Sequence, residues 1–397
     1  MKGYDFEAVR KKMPFVNEVI YKTFYVCVAV YLAWAIVSLF FYINSSTSTA
    51  AKLEKQERLR SSLHNLSRNN MAHDGCACQY KNMSYDFCYR FPEDKSIKGK
   101  RFTCKYAFYL QALDLLSKRN AIDLENDYMP FPRFVTAMSE NHYSEGLTLI
   151  ANIRKFLKME WIIVYDLGLK NKSATNLRSK CFVELRQFPF EMYPEHVKNL
   201  KEYRWKPLLI AKTLSEFGAV WYMDTSIRWP KDIRDLFYKE IACRRKTRLD
   251  KSPAIGHCKK TSYLLSHPTI HGIYAATHPA LYKYLPTNIK KLEETLCYSA
   301  AFAFIVRTAD TVELMKWSVL CALEKNCMAP PGANLPCTFG NDMLKDYAYC
   351  HRYDQSVINV LLANSYNYKT EKYVVSEGDV AQAYRGENHS EEDFACW

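Results

Sequence analysis

The chain has 397 residues, 48% of them hydrophobic, and a formal net charge of +13. That size supports one large or two small folded units with a sizeable core, and the basic balance favours acidic partners such as phosphates, nucleotides or anionic membrane. With 12 glycines and neither a GxGxxG nor a GxxxxGK run, classical dinucleotide and P-loop sites are excluded. The absence of zinc-finger spacing and of an aromatic-basic ribonucleoprotein signature speaks against nucleic acid.

Residues 1–23 read as a short cytosolic tail, and residues 24–43 carry no charge. Twenty residues at about 1.5 Å each span about 30 Å, the thickness of a bilayer core. Tyr21, Tyr25 and Tyr42 stand near the two ends, where interfacial rings belong. The run starts late and lacks a clear small-x-small cleavage site, which favours a signal anchor over a cleaved signal peptide. Basic residues flank both ends (Arg10, Lys11, Lys12 and Lys22; Lys52, Lys55, Arg58 and Arg60), so charge alone does not orient the span. The cysteines and sequons do. Of 14 cysteines, Cys27 lies in the apolar run and thirteen follow it. Thirteen is odd, so at least one is free or pairs between chains. Asn-x-Ser/Thr sequons at Asn44, Asn65, Asn82, Asn171 and Asn388 also lie beyond the run. Together they indicate an oxidising, lumenal compartment: a type II single-pass protein of the Golgi or ER membrane with its body in the lumen.

Residues 44–75 are polar and read as a stem, with helical character over 51–64. The segment 76–129 opens with Cys76, Cys78, Cys88 and Cys104. The Cys-x-Cys spacing departs from the usual zinc Cys-x₂-Cys, so two disulfides of undetermined pairing are expected.

From about residue 130 strands and helices alternate. Arg133–Ser139 reads as a strand, Tyr143–Leu157 as a helix with Leu147, Ile150, Ala151, Ile153 and Leu157 on its apolar face. Trp161–Asp166 and Cys181–Arg186 read as strands, and Pro207–Phe217 as a helix with proline in its first turn. Ala219-Val-Trp-Tyr-Met then reads as a buried strand that stops at Asp224, followed by Thr225 and Ser226. This alternation predicts an α/β fold with a mostly parallel sheet and helices on both faces, with Ser139, Asp166 and Asp224 on one edge. Further on, Pro230–Cys243 predicts a helix and the basic stretch Arg244–Lys251 a solvated loop. Ala300–Arg307 predicts a strand and Thr308–Lys325 a helix. Cys321, Cys327, Cys337 and Cys350 bracket a Pro/Gly-rich loop suited to disulfide staples, and Tyr353–Leu362 opens the last helix.

Ligands of open α/β sheets collect beyond the carboxyl ends of strands. Asp224 therefore stands where chemistry is expected, although an acid there can equally cap the next turn. Asp-x-Ser is a degenerate Asp-x-Asp, and a carboxylate with a second oxygen suits Mg²⁺ or Mn²⁺ holding a diphosphate. Asp354 is expected near a helix start, where it can serve as an N-cap to Ser356 or Val357 or as a functional carboxylate stabilised by the helix dipole.

Four blocks occur in order: Thr136-Ala137-x-Ser139-x-Asn141, Val164-Tyr165-Asp166, Asp224-x-Ser226 and Asp354-Gln355-Ser356-x-x-Asn359. In this layout the chain resembles metal-dependent nucleotide-diphospho-sugar glycosyltransferases of the GT-A fold. It is more closely similar to an uncharacterised family of animal type II membrane proteins that shares Trp205-Lys206-Pro207, Asp224-Thr225-Ser226-Ile227-Arg228 and Tyr353-Asp354-Gln355-Ser356. The resemblance implies a GT-A-like domain over 130–375 and a C-terminal tail over 376–397. It implies that Ser139, Asn141 and Asp166 meet the nucleoside of a nucleotide-sugar donor and that Asp224 holds Mn²⁺ or Mg²⁺, with Ser226 beside it. Ser226 is the departure, since a hydroxyl is a weaker ligand than a carboxylate, and Arg228 is the basic residue nearby that could act in its place. Asp354 and Gln355 would sit under the donor sugar, Asp354 orienting its hydroxyls or accepting the acceptor's proton. Among His257, His267, His271, His278 and His351, the last is the candidate third metal ligand. Transfer to a lumenal glycan or protein acceptor is the implied activity. The alternative is a non-catalytic anchored scaffold, supported by Asp-x-Ser itself. A sulfotransferase lacks its phosphate loop here.

Overall fold

The computed structural model describes residues 75–242, 261–375 and 380–394. The apolar run 24–43, nearly all of the stem and the basic stretch Arg244–Lys251 lie outside them. Among the described residues no helix is long and apolar enough to cross a membrane.

The body opens with a hairpin of β1 (Ala77–Tyr80) and β2 (Met83–Asp86), followed by α1 (Ala107–Ala112). Two disulfides, Cys76–Cys88 and Cys78–Cys104, tie this segment together, the number expected from its four cysteines. The alternating region follows: β3 (Arg133–Met138), α2 (Tyr143–Phe156), β4 (Ile162–Asp166), α3 (Asn171–Ser179), β5 (Val183–Gln187), α4 (Trp205–Phe217), β6 (Ala219–Met223), β7 (Ile227–Arg228) and α5 (Arg234–Ala242). The second half holds β8 (Tyr263–Leu264), β9 (Pro268–Gly272), α6 (Ile289–Leu292), β10 (Leu296–Tyr298), β11 (Phe302–Val306), α7 (Ala309–Leu323), α8 (Asp354–Ser365) and β12 (Gln382–Ala383). Cys321–Cys327 and Cys337–Cys350 staple the loop between α7 and α8. Among the described residues Cys297 is the free cysteine, and it is buried.

The main sheet has the order β5-β4-β3-β6-β11-β8. The β3–β4, β4–β5 and β3–β6 pairs are parallel, whereas β11 runs antiparallel to both β6 and β8. The sheet is thus mixed, parallel through the half that alternates with helices and antiparallel where that alternation ends. Strand periodicity sends successive side chains to opposite faces. On one face Phe134, Trp221, Phe302 and Phe304 join Leu149, Ile150, Ile153, Phe237 and Ile241 from α2 and α5 in one buried cluster. The other face meets α4, where the hydroxyls of Tyr165 and Thr213 lie 3.2 Å apart.

Helix α4 runs directly into β6 through Gly218, whose φ of +77° closes the helix in the left-handed region. An L side chain there is strained, and a Cβ would lie 2.8 Å from Pro130 Cγ. Gly218→Ala is therefore expected to lower stability by about 1–2 kcal/mol, read as a fall in the thermal unfolding midpoint with the native circular dichroism kept.

Residues 380–394, expected as a tail, pack onto the body. β12 pairs antiparallel with β7, Ala381 and Phe394 are buried, and Thr148 Oγ1 accepts the Asn388 N–H at 3.0 Å. The alternation of apolar and polar residues is too short in Gln382–Ala383 to announce a strand.

Candidate functional site

After β3 the chain builds β4 and β5 outward on one side, then returns to place β6 on the other side of β3. The order reverses between β3 and β6, and a crevice opens beyond their carboxyl ends, the position where open α/β sheets take ligands. A cavity of about 390 Å³ lies there, with Ser139, Asn141, Tyr203, Asp224, Ser226 and Arg385 among its lining residues. A larger cavity of about 500 Å³ lies between α2 and the C-terminal segment, with Arg228 in its wall; it lacks the acid at a strand end, and the smaller one is where the chemistry gathers.

Behind Asp224, which alone of the three faces the crevice, three of the sequence blocks converge on one cation. Lys206, in the first turn of α4, places Nζ 3.1 Å from Asp224 Oδ1 and 3.3 Å from Asp224 Oδ2. The same ammonium lies 2.8 Å from Asp354 Oδ2 at the start of α8. The Tyr222 hydroxyl donates to Asp224 Oδ1 at 2.7 Å. The side chains are 6% exposed for Lys206, 11% for Asp354 and 30% for Asp224, so Asp224 is the member that faces the cavity. Rings of Tyr203, Trp205 and Tyr222 lie 5.4, 5.9 and 5.3 Å from the ammonium, within cation–π range.

Burial alone would push Lys206 towards its neutral form, but Asp224 and Asp354 outweigh it and hold the ammonium above the usual lysine value. Burial raises the Asp354 carboxyl above its ordinary value, against the pull of Lys206. Burial and the neighbouring Asp224 raise the Tyr222 phenol, which keeps it a donor. The backbone is strained on both sides of the triad: Tyr203 has φ 53° and Tyr353 has φ 46° and ψ −113°. Bulky residues occupy such conformations only where surrounding structure imposes them, and they concentrate at functional sites.

The other expected site residues divide. Ser139, Asn141, Asp224 and Ser226 share the cavity, with the Ser139 hydroxyl donating to Asn141 Oδ1 at 2.6 Å. Asp166 ends β4 as expected, yet it is buried and its Oδ1 accepts the N–H groups of Gly168 and Leu169 at 2.8 and 2.7 Å. It therefore shapes the turn beside the crevice. Arg228 donates to the carbonyls of Thr225, Ile227 and Gly386, binding the Asp224 loop to the C-terminal segment instead of facing the crevice. Asp354 does not cap α8; Tyr353 occupies that position and no side chain closes the cap. Gln355 turns away from the cavity, with Oε1 accepting the Ala300 N–H at 3.4 Å and Nε2 3.5 Å from Cys297 Sγ. Asn359 brackets the Tyr298 backbone, accepting its N–H at 2.9 Å and donating to its carbonyl at 2.7 Å. Gln355 and Asn359 thus dock α8 onto β10 and the loop to β11, while the Ser356 hydroxyl donates to the Ala276 carbonyl at 2.9 Å.

His351 is fully buried. Its Nδ1 accepts the His278 N–H at 3.1 Å, so Nε2 carries the proton towards the Met328 carbonyl at 3.0 Å. Both ring nitrogens are used, which removes His351 from the candidate ligands. A divalent ion at Asp-x-Ser would thus find one carboxylate, already facing an ammonium through both oxygens, and one neutral hydroxyl. Hard divalent cations require several oxygen donors, and the residues present do not fit one.

Lys206, Tyr222, Lys201 and Arg385 were not identified as site residues from sequence. Lys206 does leave a trace: it is the single charge in the run Trp205–Ala211, and a lone charge inside a buried apolar turn must find a partner. Arg385 leaves none, because its place depends on the β7–β12 pairing.

A sequence profile described as "Protein of unknown function (DUF1647)" matches residues 76–211, and no curated protein sequence matches the chain. Among solved structures it is similar to the bifunctional glycosyltransferase WbbM in its apo form, at 12% identity over 60% of this chain and 38% of that one, with a TM-score of 0.33. It thus spans well under half of the WbbM chain. It is similar to the galactosyltransferase LgtC in complex with donor and acceptor sugar analogues, at 11% identity over 64% and 87% of the two chains and a TM-score of 0.33. Core-mannan synthase A (CmsA/Ktr4) from Aspergillus fumigatus in its Mn/GDP form aligns at 9% identity over 62% and 73%, with a TM-score of 0.36. Likenesses this distant carry no residue's role across.

Proposed function

We propose that this protein is a glycosyltransferase with a GT-A-like body that uses a nucleotide-sugar donor, anchored by residues 24–43 with its body in the ER or Golgi lumen. One observation carries the reading: a partly exposed acid at the end of β6 opens into a cavity at the sheet's reversal point whose lining includes two basic side chains. Lys201 and Arg385 both line that cavity, and neither side chain has a hydrogen-bond or ion-pair partner among the described residues. Unpaired cations and a carboxylate in one cavity suit a ligand that is anionic at one end and rich in hydroxyls at the other. Lys201 and Arg385 would meet the diphosphate and stabilise charge on the leaving group. Asp224 would accept a hydrogen bond from a sugar hydroxyl, and Ser139 and Asn141 would meet the nucleoside. A glycan or protein would be the acceptor. The lumenal assignment is supported by the paired cysteines and by exposed asparagines in the sequons at Asn82, Asn171 and Asn388.

The test is turnover of a nucleotide-sugar panel by the purified protein. Asp224→Asn is expected to lower turnover by about 10²–10³-fold, and Arg385→Ala to weaken donor binding by about tenfold, both with unchanged circular dichroism. The second reading, a non-catalytic scaffold, draws on Ser226 in place of a second acid. It prevails if no nucleotide sugar is turned over or raises the unfolding temperature.

A further inference from the structure

We propose that the Lys206 ammonium is a resident cation set behind Asp224 in the wall of this crevice, filling the place between Asp224 and Asp354 that a divalent ion would otherwise take, so that the anionic donor binds without a metal. The inference deepens the reading above and rests on it only for the identity of the ligand.

Two carboxylates from separate elements, one after β6 and one opening α8, converge on a single point. Like charges brought that close need a counter-charge between them. Lys206 supplies it, at 2.8 Å from one acid and 3.1 and 3.3 Å from the two oxygens of the other. The charge is tethered. Its stem leaves the first turn of α4 beside Pro207, and three rings close around its head. The preceding residue, Arg204, is buried and donates to the carbonyls of Ala322, Glu324 and Lys325 at 3.0, 2.9 and 2.6 Å. That grip on the end of α7 fixes the start of α4, and burial, two ion pairs and three rings hold the ammonium where it stands. A divalent ion on Asp224 would stand within a few ångströms of a fixed positive charge in a partly desolvated wall, where repulsion is strong. The Ser226 departure then has a physical reason: where the chain carries its own cation, a second acid on the loop would add unbalanced negative charge.

The experiment titrates Mn²⁺ alone into the full-length chain and follows free Mn²⁺ by electron paramagnetic resonance. Wild type and Asp224→Asn are expected to deplete the free signal equally, showing that Asp224 holds no ion. Lys206→Ala, which leaves the acids facing each other, is expected to take up about one more Mn²⁺ per chain, lost again in the Lys206→Ala/Asp224→Asn double variant. A merely structural lysine would not confer metal affinity when removed. Stoichiometric Mn²⁺ on the wild type that disappears in Asp224→Asn overturns the proposal, as does a folded Lys206→Ala protein with no added uptake. Should Lys206→Ala fail to fold, the wild-type comparison with Asp224→Asn decides alone. In a second arm, uridine and guanosine diphosphates are titrated with EDTA and with Mn²⁺. Affinity for whichever binds should agree within about twofold; a tenfold dependence on Mn²⁺ overturns the inference. If neither binds under either condition, the nucleotide-sugar reading fails while the Mn²⁺ arm still judges Lys206.

Discussion

Replacing Lys206 by Met should cost the folded protein about 3–5 kcal/mol at neutral pH, the loss expected when one partner of a buried charge cluster is removed and the other is left uncompensated. The deficit should shrink on acidification. Asp354 is already held above its ordinary value by burial, with Lys206 pulling it back; without the ammonium it is raised further. A carboxyl raised in the folded state binds more protons there than in the unfolded chain. Stability therefore falls as pH climbs from the unfolded value through the folded one, by up to about 1.4 kcal/mol per pH unit. The variant's window extends higher than the wild type's, so its deficit is larger near pH 8 than near pH 5. Lys206 acts in the wild type at the other end of the scale. Its raised value gives stability that is complete below the ordinary lysine range and lost as pH rises through the folded value. Urea unfolding at about pH 5 and about pH 8 reads the contrast. A deficit identical at both would mean that lost packing of the lysine stem, not the uncompensated acid pair, causes it.

Trp221→Ala is expected to be of similar size, about 3–5 kcal/mol, for a different reason. Trp221 is fully buried, with ring centroids 4.3 Å from Phe304, 4.9 Å from Phe237, 5.4 Å from Trp229 and 5.7 Å from Phe302. It joins β6, β11 and α5 in one contact set, and an alanine leaves a void that rings on three elements cannot close together. Because Trp221 stands three residues before Asp224, loosened packing should also blunt donor binding, which a surface substitution would not do. Trp221→Phe keeps most of the ring area and should lose well under half as much. Denaturant unfolding with near-ultraviolet circular dichroism measures both. A loss below about 1 kcal/mol for the alanine variant would show that this cluster is not the centre of the core.

Much of the sheet could be read from residue order. Arg133–Met138, Ile162–Asp166 and Ala219–Met223 are apolar runs bounded by polar turns, and each becomes a strand within a residue or so of its expected limits. β8, β10 and β12 are two or three residues long, too short for periodicity to register, and β9, Pro-Thr-Ile-His-Gly, carries no apolar run. The antiparallel entry of β11 was hidden because its sequence, Phe-Ala-Phe-Ile-Val, is equally apolar whichever way it runs. At the site, Asp224 was legible since a lone acid after an apolar strand is conspicuous. The roles of Asp166, Arg228 and His351 were not, because a carboxylate, a guanidinium and an imidazole look the same in sequence whether they meet a ligand or a backbone carbonyl or amide. Lys206 was visible as part of Trp-Lys-Pro, but its two partners lie 18 and 148 positions along the chain, and only the folded arrangement brings them together.

The pairing of β12 with β7 gives the segment 380–394 an importance out of proportion to its length. A stop codon or frameshift ahead of Gln382 would leave all six strands of the large sheet encoded, so the truncated product should still collapse and form its cystines. It would nonetheless lack Arg385 and the carbonyl of Gly386 that Arg228 grips, leaving the Asp-Thr-Ser loop open to solvent along one side. On the proposed reading such truncated products should fold yet fail to bind the donor.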